Sequence, residues 1–209
     1  MNLKDERVDY GKFELLESQA GDNPLPLFTQ WFDEARKTEA EPNIMIISTS
    51  HNNQPQTRVV LLKEVLNGDF IFYTNYNSTK GQALEANPNI SILFFWGAQQ
   101  RQVRIEGITY KVDSATSDDY FYSRPKESQI GAIASTQSAP MANREELEQK
   151  YAELVEFYKT NPIERPSHWG GYAVKANNFE FWQGRPSRLH DRIAFKKQGT
   201  KWTRSRLYP

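Results

Sequence analysis

The sequence of 209 residues contains no cysteine. That excludes disulfides, thiolate nucleophiles and cysteine-ligated metals, and leaves the compartment to be judged from other signals. An excess of charge is also missing: 26 Lys and Arg balance 26 Asp and Glu. No global field draws the chain to nucleic acid or to an anionic membrane, so any anion binding must be local. Long apolar runs are absent too. The most apolar stretch, 90–96, is far too short to cross a bilayer, and the charged start has no apolar run of signal-peptide length. These absences predict a soluble cytoplasmic protein with small or specific partners. Histidine is scarce, and His51, His168 and His190 stand far apart. With no Gly-rich phosphate loop, no G-x-S-x-G elbow and no H-E-x-x-H, hydrolase and zinc readings lose most of their support, and no metal is expected.

What the chain has in quantity is aromatic residues, 13% of the total with five Trp and ten Tyr. That suits either a strand-rich core or stacking on a planar ligand, and composition does not choose between them. The length fits one domain able to bury its own core.

Residues 1–23 are polar and unpatterned and read as a flexible arm, a possible lid, ahead of a single domain over 24–209. A helix is predicted over 24–38, with Leu27, Phe28, Trp31 and Ala35 on one face. The pattern then turns to short β-rich runs at 44–49, 57–65, 70–75, 90–96 and 101–110. Asn67-Gly68 is a hairpin signal, because both residues tolerate positive φ. A short helix over 79–86 interrupts the series. In 101–110, Val103 and Ile105 alternate with Gln102, Arg104 and Glu106, the sign of a sheet with one inward face.

Two or three helices follow. Asp118 and Asp119 suit the first turn of one that ends near Arg124, before Pro125. Asn143 and Glu146 resemble a capping box for another, with Leu147, Tyr151, Leu154 and Tyr158 as its stripe. Strands return at 169–175, 178–182, 192–195 and 202–207. Eight or nine short strands around a helical insertion describe a mostly β, α+β chain: a closed or nearly closed antiparallel barrel with added helices, not a doubly wound sheet.

The candidate chemistry lies in cations at strand and helix ends. Arg58 and Lys63 flank Val59-Val60-Leu61-Leu62. Five residues apart on an ideal strand, they face opposite ways and serve one ligand only through a bulge, a twist or a strand end. From pattern alone they read first as two solvated side chains. Tyr120 and Arg124 stand one helical turn apart, with Ser128 just beyond Pro125, a set able to hold a phosphate dianion. The densest cluster is Trp182-Gln183-Gly184 with Arg188-Leu189-His190-Asp191-Arg192, which reads equally as a surface turn with an Asp–Arg pair.

Taken in order and spacing, several motifs resemble the pyridoxine 5'-phosphate oxidases. They are Arg58-Val-Val-Leu-Leu-Lys63, Phe72-Tyr73-Thr74-Asn75, Arg101-Gln102-Val103, Ser123-Arg124-Pro125 through Gly131, Gln137-Ser138, Trp169-Gly170-Gly171, Phe181 through Gly184, and Arg188 through Arg192. The resemblance spans nearly the whole chain, and the joint occurrence is far more specific than any one motif. It implies an FMN-binding split β-barrel of Greek-key type, a homodimer with FMN between subunits. It further implies oxidation of pyridoxamine 5'-phosphate and pyridoxine 5'-phosphate to pyridoxal 5'-phosphate with O2, giving H2O2 and, from the amine, ammonia. FMN contacts carried over are Arg58, Val59, Val60, Leu61, Leu62, Lys63, Tyr73, Thr74, Thr79, Lys80, Gln102, Gln137, Ser138, Trp182 and Arg192. Substrate contacts are Lys63, Tyr120, Arg124, Ser128, Arg188 and His190, with Arg7 and Tyr10 matching an Arg-x-x-Tyr element that closes over the substrate in some members.

Two departures stand out. Thr79 occupies a position where the family often has Arg, which implies weaker FMN binding, and Ala139-Pro140 follows Gln137-Ser138 where a further polar residue is common. On this reading the protein holds two planar rings in contact and neutralises two phosphates. Lys63, Tyr120, Arg124 and Ser128 grip the substrate phosphate, while Arg188 and His190 face its ring, His190 being the better base near neutral pH. The alternatives are a sister split-barrel flavin oxidase on another substrate, a non-catalytic flavin or haem carrier, and a single-stranded nucleic-acid binder. Zero net charge weighs against the last.

Overall fold

The computed structural model describes residues 1–6 and 8–209. Its elements, in chain order, are α1 (Glu17–Ala20), α2 (Pro24–Ala35), β1 (Ile44–His51), β2 (Gln54–Leu61), β3 (Glu64–Leu66), β4 (Asp69–Asn75), α3 (Thr79–Ala86), β5 (Asn89–Trp96), β6 (Arg101–Lys111), α4 (Ser114–Ser123), α5 (Lys126–Ala134), α6 (Arg144–Phe157), β7 (Trp169–Gln183), β8 (Asp191–Gln198) and β9 (Lys201–Leu207).

α2 begins where Asn23 Oδ1 accepts from Leu25 N–H and Pro24 supplies a preset φ at the first position. Its predicted face is the observed one: Leu27, Phe28, Trp31 and Ala35 are buried, with the Phe28 ring 4.9 Å from Phe70 and 5.3 Å from Phe94. All strand pairs are antiparallel, in the order β2-β1-β5-β6-β7-β4-β3, with β8 and β9 added along β7. The expected hairpin forms, with Asn67 (φ 54) and Gly68 (φ 88) joining β3 to β4, and a second, not read from the sequence, joins β1 to β2 through Asn52 and Asn53 (φ 50 and 60).

Three differences from the sequence reading have physical causes. The expected strand over 57–65 is two strands, because the backbone leaves β1 after Leu61 and joins β4. Leu62 N–H bonds to Asn43 O and Lys63 N–H to Ile71 O, at 2.8 and 2.9 Å. The sheet is therefore not closed by hydrogen bonds: its ends, β2 and β3, are joined only through the two residues between them. Conversely, the two strands expected at 169–175 and 178–182 are one. β6 pairs along both parts of β7, and a bulge between Glu106 and Gly107 takes up the irregularity around 176–178 that made the pattern look broken.

The third difference is the arm. Leu15 and Ala20 are buried at 1% and 2% exposure within the core cluster, and 17–20 form a helical turn. Two isolated apolar residues have no period to read. The helix expected near 143 does form: Asn143 Oδ1 accepts from Glu146 N–H, but Glu146 returns the bond to Ala142 N–H rather than to Asn143. Its stripe Leu147, Tyr151, Leu154 and Tyr158 is half-buried.

The alternation in β6 holds, with Val103 and Ile105 fully buried beneath exposed Arg104 and Glu106. They join Met45, Ile47, Phe72, Phe94, Phe179 and Phe181 in one core inside the curled sheet. Outside it, α3 packs close to the turn after β4: a Cβ on Gly81 would lie 2.0 Å from Tyr76 O. Gly81→Ala is therefore expected to lower stability by about 2 kcal/mol or more, since backbone has to move. Urea unfolding checks this, and an unchanged midpoint would contradict it.

Candidate active site

One cleft of about 720 Å³ opens where the end of β2, β4, α3, α4 and α5 meet. It is lined by Val59, Val60, Leu61, Lys63, Tyr73, Thr74, Lys80, Tyr120, Arg124, Ser128 and Gln137, all singled out from sequence, together with Trp169. The break after Leu61 answers the parity problem of Arg58 and Lys63, because Lys63 no longer belongs to the strand that carries Arg58.

At one end Lys80 is buried, 8% exposed as a residue, and its ammonium donates to Thr74 Oγ1 (3.1 Å), Ser78 Oγ (3.3 Å) and Gln137 Oε1 (3.3 Å). Burial, then the nearby Arg58 guanidinium, pull its pKa below the usual lysine value. Arg58 bonds Thr49 Oγ1 (2.8 Å), Gln56 O and Gln56 Oε1, and burial lowers its pKa as well. Among the described residues neither cation forms an ion pair with a carboxylate. A buried ammonium beside a guanidinium, held only by neutral acceptors, is a site that an anion would stabilise.

At the other end, Tyr120 stacks on Tyr73 at 3.9 Å between centroids, and Tyr73 lies parallel to Trp169 at 5.7 Å. Burial pushes the Tyr73 phenol up to about 12, so it stays protonated. The Arg124 guanidinium lies 4.7 Å over the Trp169 ring and donates from Nη2 to Ser128 O at 2.8 Å, while its Nη1 is buried without a partner. Lys63 Nζ sits 5.9 Å over Tyr120. An orphaned guanidinium N–H beside a lysine, a phenol and the Ser128 hydroxyl is a second place for an anion.

A different cluster forms at the far end of β7. Gln102 and Arg192 flank Trp182 across the strands. Trp182 and His190 have ring centroids 4.5 Å apart, and Tyr10 reaches over both at 5.8 and 5.9 Å. His190 Nδ1 accepts from the Arg185 backbone N–H at 3.0 Å, so the neutral imidazole carries its proton on Nε2. Burial, and then the charge of Arg188, lower its pKa, with Asp191 acting the other way. Arg188 is exposed, and both it and Ser187 have left-handed backbones, φ 61 and 57. Arg192 is largely occupied, bonding Glu180 (2.9 Å) and Tyr208 O (2.7 Å).

The structure thus brings the named residues into two groups rather than one. Trp169 in the first group and Trp182 in the second belong to one extended strand, separated by roughly 40 Å of chain. Three residues fall outside both groups. Thr79 and Ser138 line a neighbouring cleft that shares Gln137 with the first, and the Leu62 side chain is buried in the core at 6% exposure. Arg7 lies outside the described residues. Trp169 stands in a motif of the resemblance but is not among the contacts the resemblance implies; its signal is the Gly-Gly after it, since a Cβ on Gly171 would sit 2.9 Å from the Tyr73 ring. Among the described residues no helix is long and apolar enough to cross a membrane.

Comparison with known proteins gives the family and the fold. The sequence profile described as "Pyridoxamine 5'-phosphate oxidase" matches residues 32–158, and one described as "Pyridoxine 5'-phosphate oxidase C-terminal dimerisation region" matches 169–209. A protein of Bordetella pertussis named pyridoxine/pyridoxamine 5'-phosphate oxidase is 50% identical over the full length of both chains. One of the same name from Leptospira biflexa is 46% identical over 97% of each. Among solved structures, PhzG from Burkholderia lata in complex with tetrahydrophenazine-1-carboxylic acid superposes with a TM-score of 0.88 at 24% identity, covering 96% of this chain and all of its own. A pyridoxamine 5'-phosphate oxidase-related, FMN binding protein from Nostoc punctiforme gives 0.73 at 12% identity, covering 90% and 98%. At those identities the two structures speak to the fold alone, which is that of the split-barrel proteins.

The His190 geometry makes a testable statement. With its folded pKa below 6.5, His190 favours the native state fully above pH 6.5 and progressively less as the pH falls through the lowered value. Nitrogen NMR of the labelled imidazole is expected to show titration below 6.5 and the Nε2–H tautomer. A dominant Nδ1–H form would contradict the assignment.

Proposed function

The chain belongs to the pyridoxamine 5'-phosphate oxidase family, and from that premise we propose that the two anion sites of its cleft receive two phosphates, one of FMN and one of a phosphorylated B6 vitamer. The enzyme oxidises pyridoxine 5'-phosphate and pyridoxamine 5'-phosphate to pyridoxal 5'-phosphate, with O2 as acceptor. The alcohol gives aldehyde and H2O2; the amine, with water, gives aldehyde, ammonia and H2O2. The observation that carries the residue assignment is a pair of cations in one cleft that form no ion pair among the described residues, buried Lys80 at one end and half-buried Arg124, with its orphaned Nη1, at the other.

These donors fit the cofactor. Lys80 and Arg58 would hold the FMN phosphate, helped by the Thr74 hydroxyl and the Gln137 amide, with the Thr79 and Ser138 hydroxyls in the adjoining cleft, and Val59, Val60 and Leu61 with the Leu62 backbone would flank the ring. Lys63 and Tyr73 complete that side. When bound, FMN supplies the two-electron acceptor that no side chain of this sequence could provide. Lys63, Tyr120, Arg124 and Ser128 hold the substrate phosphate, and fixing that end sets where C4' lies. A substrate lacking the phosphate would leave Arg124 Nη1 unpaired, which weighs against a sister oxidase on another ring.

Gln102, Trp182, Arg188, His190 and Arg192 lie too far along β7 to reach the same ligands within one protomer. The enzyme is a homodimer, and the site is composite: these five residues of one protomer cover the cleft of the other, with Tyr10 closing over them. The sheet's outer face offers a surface for this, since Leu61, Ile44, Phe95, Trp182 and Leu207 are only partly covered. Arg188 and His190 orient the substrate ring. Because Nδ1 is engaged, His190 presents an Nε2–H donor to an acceptor on that ring rather than serving as the base expected from sequence.

Lys80→Ala and Arg58→Ala are expected to lose FMN on gel filtration; full retention in both would contradict the phosphate assignment. Arg124→Ala should raise KM for either ester about 10- to 100-fold, the loss of a charge-assisted contact. Assayed at an ester concentration far below the raised KM, where each homodimer is nearly inactive, Arg124→Ala and Arg188→Ala chains should regain about one quarter of wild-type activity when unfolded together and reassembled, because half the dimers are mixed and each carries one intact site. No recovery would sink the composite site. A colourless protein that stays inactive with added FMN would overturn the oxidase reading itself.

A further inference from the structure

We infer that Asp191 is a positioning residue that locks the N-terminal segment 10–17 to the loop 184–190 and so fixes the shape in which Arg188 and His190 are presented. The inference rests on reading that loop as the ring-facing half of the oxidase site. It arises from a cluster that the reaction itself does not use.

The Asp191 carboxylate, 20% exposed, is shared three ways. Oδ2 accepts from the Leu15 backbone N–H at 3.1 Å and lies 3.6 Å from Arg185 Nε, while Oδ1 accepts from Arg206 Nη1 at 3.0 Å. Each arginine then reaches onward to the arm. Arg206 pairs with both Glu17 oxygens, at 2.5 and 2.8 Å, and donates to Leu15 O. Arg185 bonds Glu14 Oε2 and Phe13 O, both at 3.3 Å. One carboxylate thereby organises the contacts of residues 13, 14, 15 and 17.

The other end of the arm presses on the loop. Gly11 N–H bonds to Gln100 Oε1 at 3.0 Å, and Tyr10 lies so close to Gly184 that a Cβ there would be 2.8 Å from the ring. The loop's hydrogen bonds are Gly184 N–H to Gln100 O, Arg185 N–H to His190 Nδ1 and, closing the turn itself, Leu189 N–H to Pro186 O. Between them stand Ser187 and Arg188, two successive non-glycine residues in the left-handed region. That conformation costs free energy and persists only where the surroundings over-determine it. Asp191, by anchoring Arg185 at the loop's start and occupying its end, supplies the constraint; the arm laid across the loop completes it.

The test uses the FMN-loaded dimer with Asp191→Asn, which keeps an acceptor for Leu15 N–H but removes both ion pairs. Amide exchange at 10–17 and 184–190 should accelerate about 10-fold or more, with other segments unchanged. KM for pyridoxine 5'-phosphate should rise about 10-fold while kcat changes about 2-fold at most and FMN content is retained. Adding Ser187→Gly, which tolerates the left-handed backbone at less cost, should recover part of the KM loss. Unchanged exchange and KM would overturn the inference, as would faster exchange throughout the chain with loss of FMN. If the wild-type protein oxidised neither ester, the oxidase reading would fall while segment-specific exchange still decided the lock.

Discussion

Strand β7 is the constraint on which the rest depends. Its fifteen residues pair with β6 along one edge, with β4 over the first part of the other and with β8 over the second. Backbone groups of a buried strand must find partners, so the two smaller sheet regions have no freedom to separate. The same strand sets the distance between the two halves of the site. Trp169 and Trp182 report the two ends, and it is this distance along one strand on which the proposal of a composite site rests.

Net neutrality makes the electrostatics local. The buried Arg101 guanidinium shows the structural use of a cation: Glu34 Oε2 at 2.5 Å, Gln183 Oε1 at 2.8 Å, and the Trp31 ring 4.4 Å below it. Lys80, buried, and Arg124, half-buried, have no carboxylate partner among the described residues and are met by hydroxyls, amides and aromatic faces. A paired cation stabilises the fold, whereas an unpaired one stores binding energy for a ligand.

Much of this was legible in the sequence, and the reasons differ by residue. Leu27, Phe28, Trp31 and Ala35 followed the helical period, and Asn67-Gly68 named its own turn. Tyr120, Arg124 and Ser128 met in one cleft because a helix end, a proline and a following helical turn leave little freedom between them. The unpaired state of Lys80 was not legible, since absence of a partner is a tertiary fact. Neither was the docking of the arm: Leu15 and Ala20 carry no pattern, and Asp191 reads in sequence as one half of a surface ion pair with its neighbour. The resemblance supplied roles that spacing could not, but it could not show that His190 Nδ1 is already engaged.

The two-residue seam between β2 and β3 has one more consequence. Side chains along a strand alternate, so the seam acts as a phase lock between the half of the sheet built on β1 and the half built on β4. Leu62 falls to the core and Lys63 to the cleft only for this number of residues. Deleting either would shift the chain that follows by one residue, so that β3 and the half of the sheet beyond it would no longer keep their parity with β2. At this point of the chain the arithmetic of length constrains the protein more tightly than the choice of amino acid does.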